Sequence, residues 1–311
     1  MVTLIQLEYI TVLDTYRHFA LAAEKCFVTQ PTLSMQIKKL EDQLGVIVFD
    51  RTKQPVKPTE QGLQIIEQAR IVLQEAQKID LIVSELKQQV AGDLRIGLIP
   101  TISPYLLPLF AGKLKDAYPS INLRVEEAVT ERIEEMLLKD TLDVGIVVTP
   151  LRNRNLLEEP VYYEEMKVYH HPDHRFSDQS IVQVDKIDHG DLWLLGDGHC
   201  FRNQVVNFCE IKKLEHTRLP YEFAGGSIST LMKIIDREGG YTLIPELATF
   251  SDTKPEQVKS FSKIKPLREV SLVYTRKFVK TKLIELLSNF IRNSIPAQLL
   301  DKKRGTLVGW R

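Results

Sequence analysis

FALAAEKCFVTQPTLSMQIKKLEDQLG, residues 19–45 of a 311-residue chain, reads as two short helices joined by a tight turn, a helix-turn-helix. The first runs from Phe19 through Ala20, Leu21, Ala22 and Ala23 to Cys26. In the second, Thr29 is placed to cap, Pro31 suits the first turn, and Gly45 ends the helix. Between them Leu33, Ile37, Leu40 and Leu44 form one apolar stripe. The other face carries Gln30, Thr32, Ser34, Gln36, Lys38 and Lys39. Gln can pair with adenine edges, and Ser, Thr and Lys can hold bases or phosphates. Taken alone, the helix-turn-helix pattern is loose, and a polar solvated helix face followed by a surface loop is its simpler reading. Upstream, Leu4, Leu7, Ile10, Val12 and Leu13 recur at helical spacing up to about Tyr16. Downstream, Phe49 to Pro58 reads as a β-hairpin wing with the cations Arg51, Lys53 and Lys57.

From Thr59 to about Gln89 there is no proline, and Gly62 falls in the first turn. Leu63, Ile66, Ala69, Leu73, Ala76, Ile79, Val83 and Leu86 recur every three or four residues. A long helix with a single apolar seam needs a partner, most simply its own copy. Two-fold symmetry would make any DNA site that such a pair reads roughly palindromic.

Ala91-Gly92-Asp93 marks a boundary, and beyond it strand-like and helix-like runs alternate. Strands are expected at Leu94 to Ile99, Asn122 to Ala128 and Asp143 to Val148, with helices from Ser103 to Tyr118 and Glu131 to Lys139. The pattern restarts with strands at Leu192 to Leu195, Tyr221 to Phe223 and Tyr241 to Ile244, and a helix at Ser229 to Arg237. It closes with a strand at Ser271 to Tyr274 and a helix at Lys280 to Arg292. Two comparable α/β halves suggest a two-lobed binding-protein fold.

A chain of this length should hold more than one domain. Hydrophobic content of 43% and charged content of 26% describe an ordinary globular protein, and the formal net charge of zero makes any basic surface local. No apolar run approaches the ~20 residues needed to span a bilayer, and the start shows no signal-peptide pattern. The expected compartment is the cytoplasm, where a disulfide is more often transient than structural. Neither a cofactor nor a metal ion is called for.

The chain has three cysteines. Cys200 follows Asp197-Gly198 and opens an apolar rhythm, Phe201, Val205 and Phe208, that fits a helix ending at Cys209. A thiol at a helix N-terminus beside His199 and Arg202 is placed to favour its thiolate. Across nine helical residues the α-carbons stand about 13 Å apart. A disulfide tolerates at most about 7 Å. Bonding the pair must therefore unwind the helix, so the segment is a candidate redox switch. Cys26, among apolar neighbours, is assigned no such role. Four polar helix starts, Thr101 to Ser103, Val129-Thr130, His199-Cys200 and Gly225-Gly226-Ser227, are placed to converge on a cleft. Singly, Thr101, Ser103, Thr130 and Ser227 equally suit helix caps.

Residues Phe19 to Glu24, Thr29 to Ser34, Ile37, Leu40-Glu41 and Leu44-Gly45, continued by Phe49, Arg51 and Thr59-Glu60-Gln61-Gly62, closely resemble the winged helix-turn-helix of LysR-type transcriptional regulators. The resemblance implies an α+β multidomain protein. Its parts are an all-α winged helix-turn-helix head (1–58), a long dimerisation linker helix (59–90), and a two-lobed α/β periplasmic-binding-protein-like regulatory domain (91–296). Lobe I would take about 91–162 and 267–296 and lobe II about 163–266, with crossings near Val161 to Val168 and Pro266 to Val270. A loosely ordered tail, 297–311, would follow. Candidate DNA contacts are Thr29, Gln30, Pro31, Thr32, Ser34, Gln36, Lys38, Lys39, Arg51 and Lys53; candidate dimer contacts are Leu63, Ile66, Leu73, Ile79, Val83 and Leu86.

Ile99-Pro100-Thr101, Pro104 to Pro108, and Asp197-Gly198-His199-Cys200 with Arg202 and Cys209 further resemble a peroxide-sensing branch of that family. There the first cysteine reacts with hydrogen peroxide and the second resolves it as a disulfide. Counterparts of Thr101, Thr130 and His199 surround the reactive sulfur, and Ser103, Arg202 and Ser227 join the candidate peroxide site. Asn203 departs from the acidic residue common after the position of Arg202. The implied partners are double-stranded operator DNA, hydrogen peroxide as signal, further copies as homodimer or homotetramer, and RNA polymerase, with no membrane. Two rival readings stand: a regulator sensing a small metabolite between the lobes, and a thiol peroxidase, in which the helix-turn-helix has no place.

Overall fold

The computed structural model describes all residues except 87–91, 185–186, 212–217, 252, 263, 277, 279–280 and 310–311, and side chains are also left aside at 77–78, 80–86 and 281. Val83 and Leu86 as dimer contacts, the expected helix end at Gln89, Ala91 and the start of the last helix at Lys280 lie outside what is described. The chain divides into two compact units, Met1–Gln89 with Lys277–Lys280, and Val90–Arg276 with Thr281–Arg311.

The first unit is a winged helix-turn-helix. Helix α1 (Leu4–Tyr16) starts on a Thr3–Gln6 capping box and ends at Arg17 in the left-handed region. After α2 (Phe19–Lys25), Thr29 caps α3 (Gln30–Leu44), and Gly45, at φ 67°, ends it. Leu33, Ile37 and Leu40 of α3 are fully buried against Ile10, Leu13, Ala22 and Ala23. The wing is a short antiparallel pair, β1 (Phe49–Asp50) with β2 (Lys57–Pro58). Glu41 ties it to α3: Oε1 accepts from the amides of Val48 and Phe49, at 2.9 and 3.1 Å.

Helix α4 (Glu60–Leu86) leaves from the wing. A Cβ at Gly62 would lie 2.0 Å from the Val48 carbonyl oxygen, so only glycine lets this first turn pass so close to the backbone. The apolar seam of α4 divides. Ile66 (2% exposed) and Ala69 join the head's own core, and Arg70 pairs with the buried Asp14 at 2.8 Å. This corrects the reading of Ile66 as a dimer contact: the first turns of the seam are spent on α1. Leu63 and Ile79 are exposed and Leu73 is half-buried.

The second unit is built on a nine-stranded mixed sheet. Strands β3 (Gly92–Leu98), β4 (Ile121–Glu127) and β5 (Val144–Thr149) are parallel, joined through α5 (Ser103–Ala117) and α6 (Thr130–Leu138). All six residues of β5 are buried, as expected of a strand covered on both faces. The 15-residue β6 (Leu156–His170) then runs through the molecule, and a second group gathers at its far end. That group holds β7 (Ile181–Val182), α7 (Cys200–Phe208), α8 (Ile228–Glu238), β8 (Tyr241–Pro245) and β9 (Val258–Phe261). Strand β10 (Pro266–Thr275) returns between β5 and β6, antiparallel to both, and α9 (Thr281–Ser294) follows.

Three expectations differ. Tyr221 to Phe223 is coil: the segment lies between Pro220 and Gly225-Gly226, and a Cβ at Gly225 would strike the Phe223 ring at 2.2 Å. Leu192 to Leu195 makes only a bridge from Leu192 to Tyr241, supported by the Trp193 amide on the Tyr241 carbonyl at 2.8 Å. The tail is ordered as far as it is described. Leu299 is fully buried, Arg304 pairs with Glu246, and β11 (Thr306–Leu307) lies parallel to the start of β10. Among the described residues no helix is long and apolar enough to cross a membrane.

Candidate redox site and nucleic-acid interface

Cys200 is the first residue of α7, and Cys209 is its C-cap. Both are free thiols, each 5% exposed. The His199 side chain makes no cap bond, and the Phe201 amide of the first turn is within hydrogen-bonding reach of the Cys200 sulfur. A small niche opens here, lined by Ile99, Pro100, Thr101, Val129, Thr130, Gly198, His199 and Cys200, with room for about one water-sized molecule. Four expected residues, Thr101, Thr130, His199 and Cys200, therefore meet.

Three others do not line it. Ser103 is buried in the first turn of α5, and Ser227 caps α8 by accepting from the Thr230 amide at 3.2 Å. Arg202 turns away, pairing with Asp197 at 2.9 Å and donating to the Leu195 carbonyl at 3.0 Å. The expectation that Arg202 lowers the thiol pKa is corrected accordingly.

Arg268 of β10 takes that place. It is 1% exposed, and its Nε donates to Glu164 Oε1 at 2.7 Å. Its other nitrogens donate to Thr101 Oγ1 and the Thr101 carbonyl, at 3.1 and 3.0 Å, and its guanidinium lies 5.0 Å from the centre of the Phe201 ring. Glu164, itself buried, also accepts from the Leu247 amide at 3.0 Å. The charge is thus paired and bonded, as a buried ion pair requires. The sequence carried no local signal for it, because Leu267-Arg268-Glu269 near the start of β10 reads like the charged end of a surface strand.

Burial pushes the Cys200 thiol above its ordinary pKa, while Arg268, Thr130 and the Phe201 amide all oppose the rise. A helix N-terminus alone therefore does not give Cys200 the expected low pKa, because burial outweighs the groups that favour its thiolate. Cys209 is pushed up to about 12 by burial with nothing opposing it, and Cys26, half-buried in the head, to about 11. Of the three thiols, Cys200 is the one with neighbouring groups that oppose the rise. Burial also lowers the His199 pKa, against the pull of Glu127 and Glu131. Thr130 Oγ1 is buried with no hydrogen-bond partner in the thiol state, although it is close enough to Cys200 to stabilise a thiolate.

In the head, Gln30, Pro31, Lys38, Lys39 and Lys53 are exposed, and Gln36 is half-buried. Thr29 and Thr32 share a hydroxyl–hydroxyl bond of 2.8 Å. Arg51 donates to Glu41 Oε2 at 2.8 Å and to Ser34 Oγ at 3.2 Å, and lies over the Phe19 ring. Arg51 and Ser34 are thus tied to the wing's own support. Sequence reasoning passed over Met35. It is 59% exposed at the middle of the outward face of α3, one turn from Pro31, Lys38 and Lys39.

A winged helix-turn-helix head and a separate two-part α/β unit are the parts of a one-chain DNA-binding regulator. The model of the bacterial regulatory helix-turn-helix of the lysR family matches residues 4–63, and that of the LysR substrate binding domain matches 87–296. The chain belongs to the LysR family. It is 36% identical over 270 residues to the hydrogen peroxide-inducible genes activator of Haemophilus influenzae, covering 86% of this chain and 89% of that protein. A full-length OxyR variant from Pseudomonas aeruginosa superposes with a TM-score of 0.79 at 34% identity, covering 95% of this chain and 99% of that one. A hydrogen peroxide-bound cysteine variant of Corynebacterium glutamicum OxyR gives a TM-score of 0.61 at 27% identity, covering 94% of each.

Proposed function

We propose that this chain is a transcriptional activator that senses hydrogen peroxide through a reversible Cys200–Cys209 disulfide and controls oxidative-stress genes. The supporting observation is the niche itself: the sulfur of Cys200 shares it with the orphaned Thr130 hydroxyl and with Thr101, which Arg268 holds in place. A niche no larger than about one water molecule, with such donors, suits a small oxidant such as peroxide better than a metabolite, and the kinship to peroxide-inducible activators agrees.

The Cys200 thiolate attacks one peroxide oxygen and the O–O bond breaks. The leaving hydroxide takes up a proton to become water, and Cys200 is left as a sulfenic acid. Thr101 and Thr130 orient the two oxygens, and His199 is placed to hydrogen-bond the leaving one. The Cys209 sulfur then bonds to Cys200, and its proton leaves with the sulfenic hydroxyl as a second water. Two thiols lose two electrons and peroxide gains them; the cellular dithiol pool reverses the change. Mass spectrometry after one equivalent of peroxide tests this. The expected product is the loss of two hydrogens with Cys200 and Cys209 in one cross-linked peptide pair. An unmodified chain that instead binds a metabolite would favour the rival reading.

The output is DNA binding by a homodimer or homotetramer that meets RNA polymerase, with α3 in the major groove and the wing on the backbone. Leu63, Leu73 and Ile79, which the head's core leaves exposed or half-buried, are the dimer contacts among the described residues. Lys38, Lys39, Lys53 and Lys57 meet phosphates, so operator affinity is expected to fall on the order of a thousandfold between roughly 50 and 200 mM salt. Gln30→Ala is expected to relax base preference by ~1–3 kcal/mol. Met35 is placed to touch a thymine methyl. Replacing operator thymines by deoxyuridine should weaken the wild-type complex and leave Met35→Ala indifferent; equal sensitivity in both proteins would remove Met35 from the readout.

A further inference from the structure

The tail ends on the redox helix. Strand β11 pairs with the start of β10, Thr306 opposite Pro266 and Leu307 opposite Leu267. The Thr306 amide donates to the Lys265 carbonyl and the Val308 amide to the Leu267 carbonyl, each at 2.8 Å. From the other side, Gln204 Nε2 donates to the Val308 carbonyl at 3.1 Å and Asn207 Nδ2 to the Gly309 carbonyl at 3.2 Å. Gln204 is fully buried. These side chains are three residues apart on one face of α7, and they grip two consecutive carbonyls only while that stretch is helical.

Upstream, the tail is held without α7. Leu299 is buried, Arg304 pairs with Glu246 and lies 3.8 Å from Glu165, and a Cβ at Gly305 would meet the Lys265 carbonyl oxygen at 2.3 Å. Residues 306–309 are held from two sides: their amides by the start of β10, and the Val308 and Gly309 carbonyls by the redox helix.

We infer that residues 306–309 form a redox-coupled latch: docked, they stabilise the helical dithiol state, and formation of the Cys200–Cys209 disulfide releases them. The inference rests on the disulfide proposed above. Gln204 and Asn207 lie between the two cysteines, so closing about 13 Å to less than 7 Å takes them out of helical spacing and breaks the grip. Coupling is reciprocal: whatever the disulfide does to the latch, the latch does to the disulfide by the same factor. Losing two side-chain hydrogen bonds corresponds to about tenfold in the dithiol–disulfide equilibrium. The latch thereby sets how readily the sensor oxidises.

The test is a glutathione redox titration of the full chain, of a chain ending at Gly305, and of Asn207→Ala, whose side chain lies at the helix surface. Each balance converts one protein disulfide and two glutathione thiols into the dithiol and one glutathione disulfide. The truncated chain should favour the disulfide about tenfold more than the full chain, a midpoint about 30 mV more negative, with Asn207→Ala in between. Amide exchange at Thr306 and Val308 should be slow in the dithiol form and fast after peroxide. Equal midpoints in all three chains, or a Val308 amide that stays protected in the disulfide form, overturn the latch alone. A full chain that forms no disulfide overturns the peroxide-sensing reading and the latch together.

Discussion

Arg268→Met is expected to destabilise the regulatory unit by about 3–5 kcal/mol, because it strands Glu164 as a fully buried, unpaired carboxylate. The unfolding transition of the isolated substitution should fall accordingly. Arg268→Met combined with Glu164→Met should recover most of that loss, since removing both charges removes the uncompensated one. Reactivity should not recover. Arg268 is the largest influence opposing the burial-driven rise of the Cys200 pKa, and it holds Thr101 through both hydroxyl and carbonyl. In the wild type the folded thiol titrates above its ordinary range, so the thiolate fraction and the alkylation rate should climb with pH through and beyond that range. Both Arg268 proteins should show the same climb displaced to still higher pH. An alkylation profile in the double variant that overlays the wild type would make Arg268 a purely structural residue.

Arg268 also shows what a linear reading can and cannot see. The head was legible because its signals are local: Thr29 and Gly45 bracket α3, and Leu33, Ile37 and Leu40 repeat with the helix period. The cysteine helix was legible for the same reason. Thr101 and Thr130 could be named because strand ends followed by helix starts put small polar residues at a sheet's carboxyl edge. The rest depends on partners far away in sequence. Arg268 meets Glu164 and Thr101 across more than a hundred residues, and nothing local distinguishes it from a surface arginine at a strand end. Arg202, two residues from Cys200 in sequence, was credited with the role instead, but on the helix its side chain is drawn to Asp197 and Leu195. The tail looked loosely ordered because it is rich in Lys and Arg and shows no motif, and its order comes from Arg304 on Glu246 and from α7 reaching out to it. The seam of α4 was read as one surface, whereas the head claims Ile66 and leaves Leu63 and Ile79 outside.

Cys200→Ser is expected to abolish disulfide formation and the peroxide response while leaving operator binding intact, since the head folds on its own core. Cys209→Ser should fail differently. Its Cys200 still meets peroxide in the niche and should stop at the sulfenic acid, which a dimedone-type reagent traps. The asymmetry follows from surroundings: Cys200 has Arg268, Thr130 and an amide to support its thiolate, whereas Cys209, pushed to about 12 by burial alone, has none. Competing thiol-labelling rates give the same order, Cys200 before Cys209. In the wild type, oxidation must then disturb α7, because nine helical residues keep the α-carbons about 13 Å apart and a disulfide needs less than about 7 Å. Phe201 and Val205 are buried and Phe208 packs edge-on against Phe261 at 4.9 Å, so unwinding α7 repacks the far end of the sheet and alters its surface. Amide exchange from Phe201 to Phe208 should rise on oxidation while α1 and α3 stay protected, and the DNA footprint should change in length or phase. Identical exchange and footprints in the two forms would make the cysteines bystanders, and sensing of a small metabolite between the lobes would then be the better account of this chain.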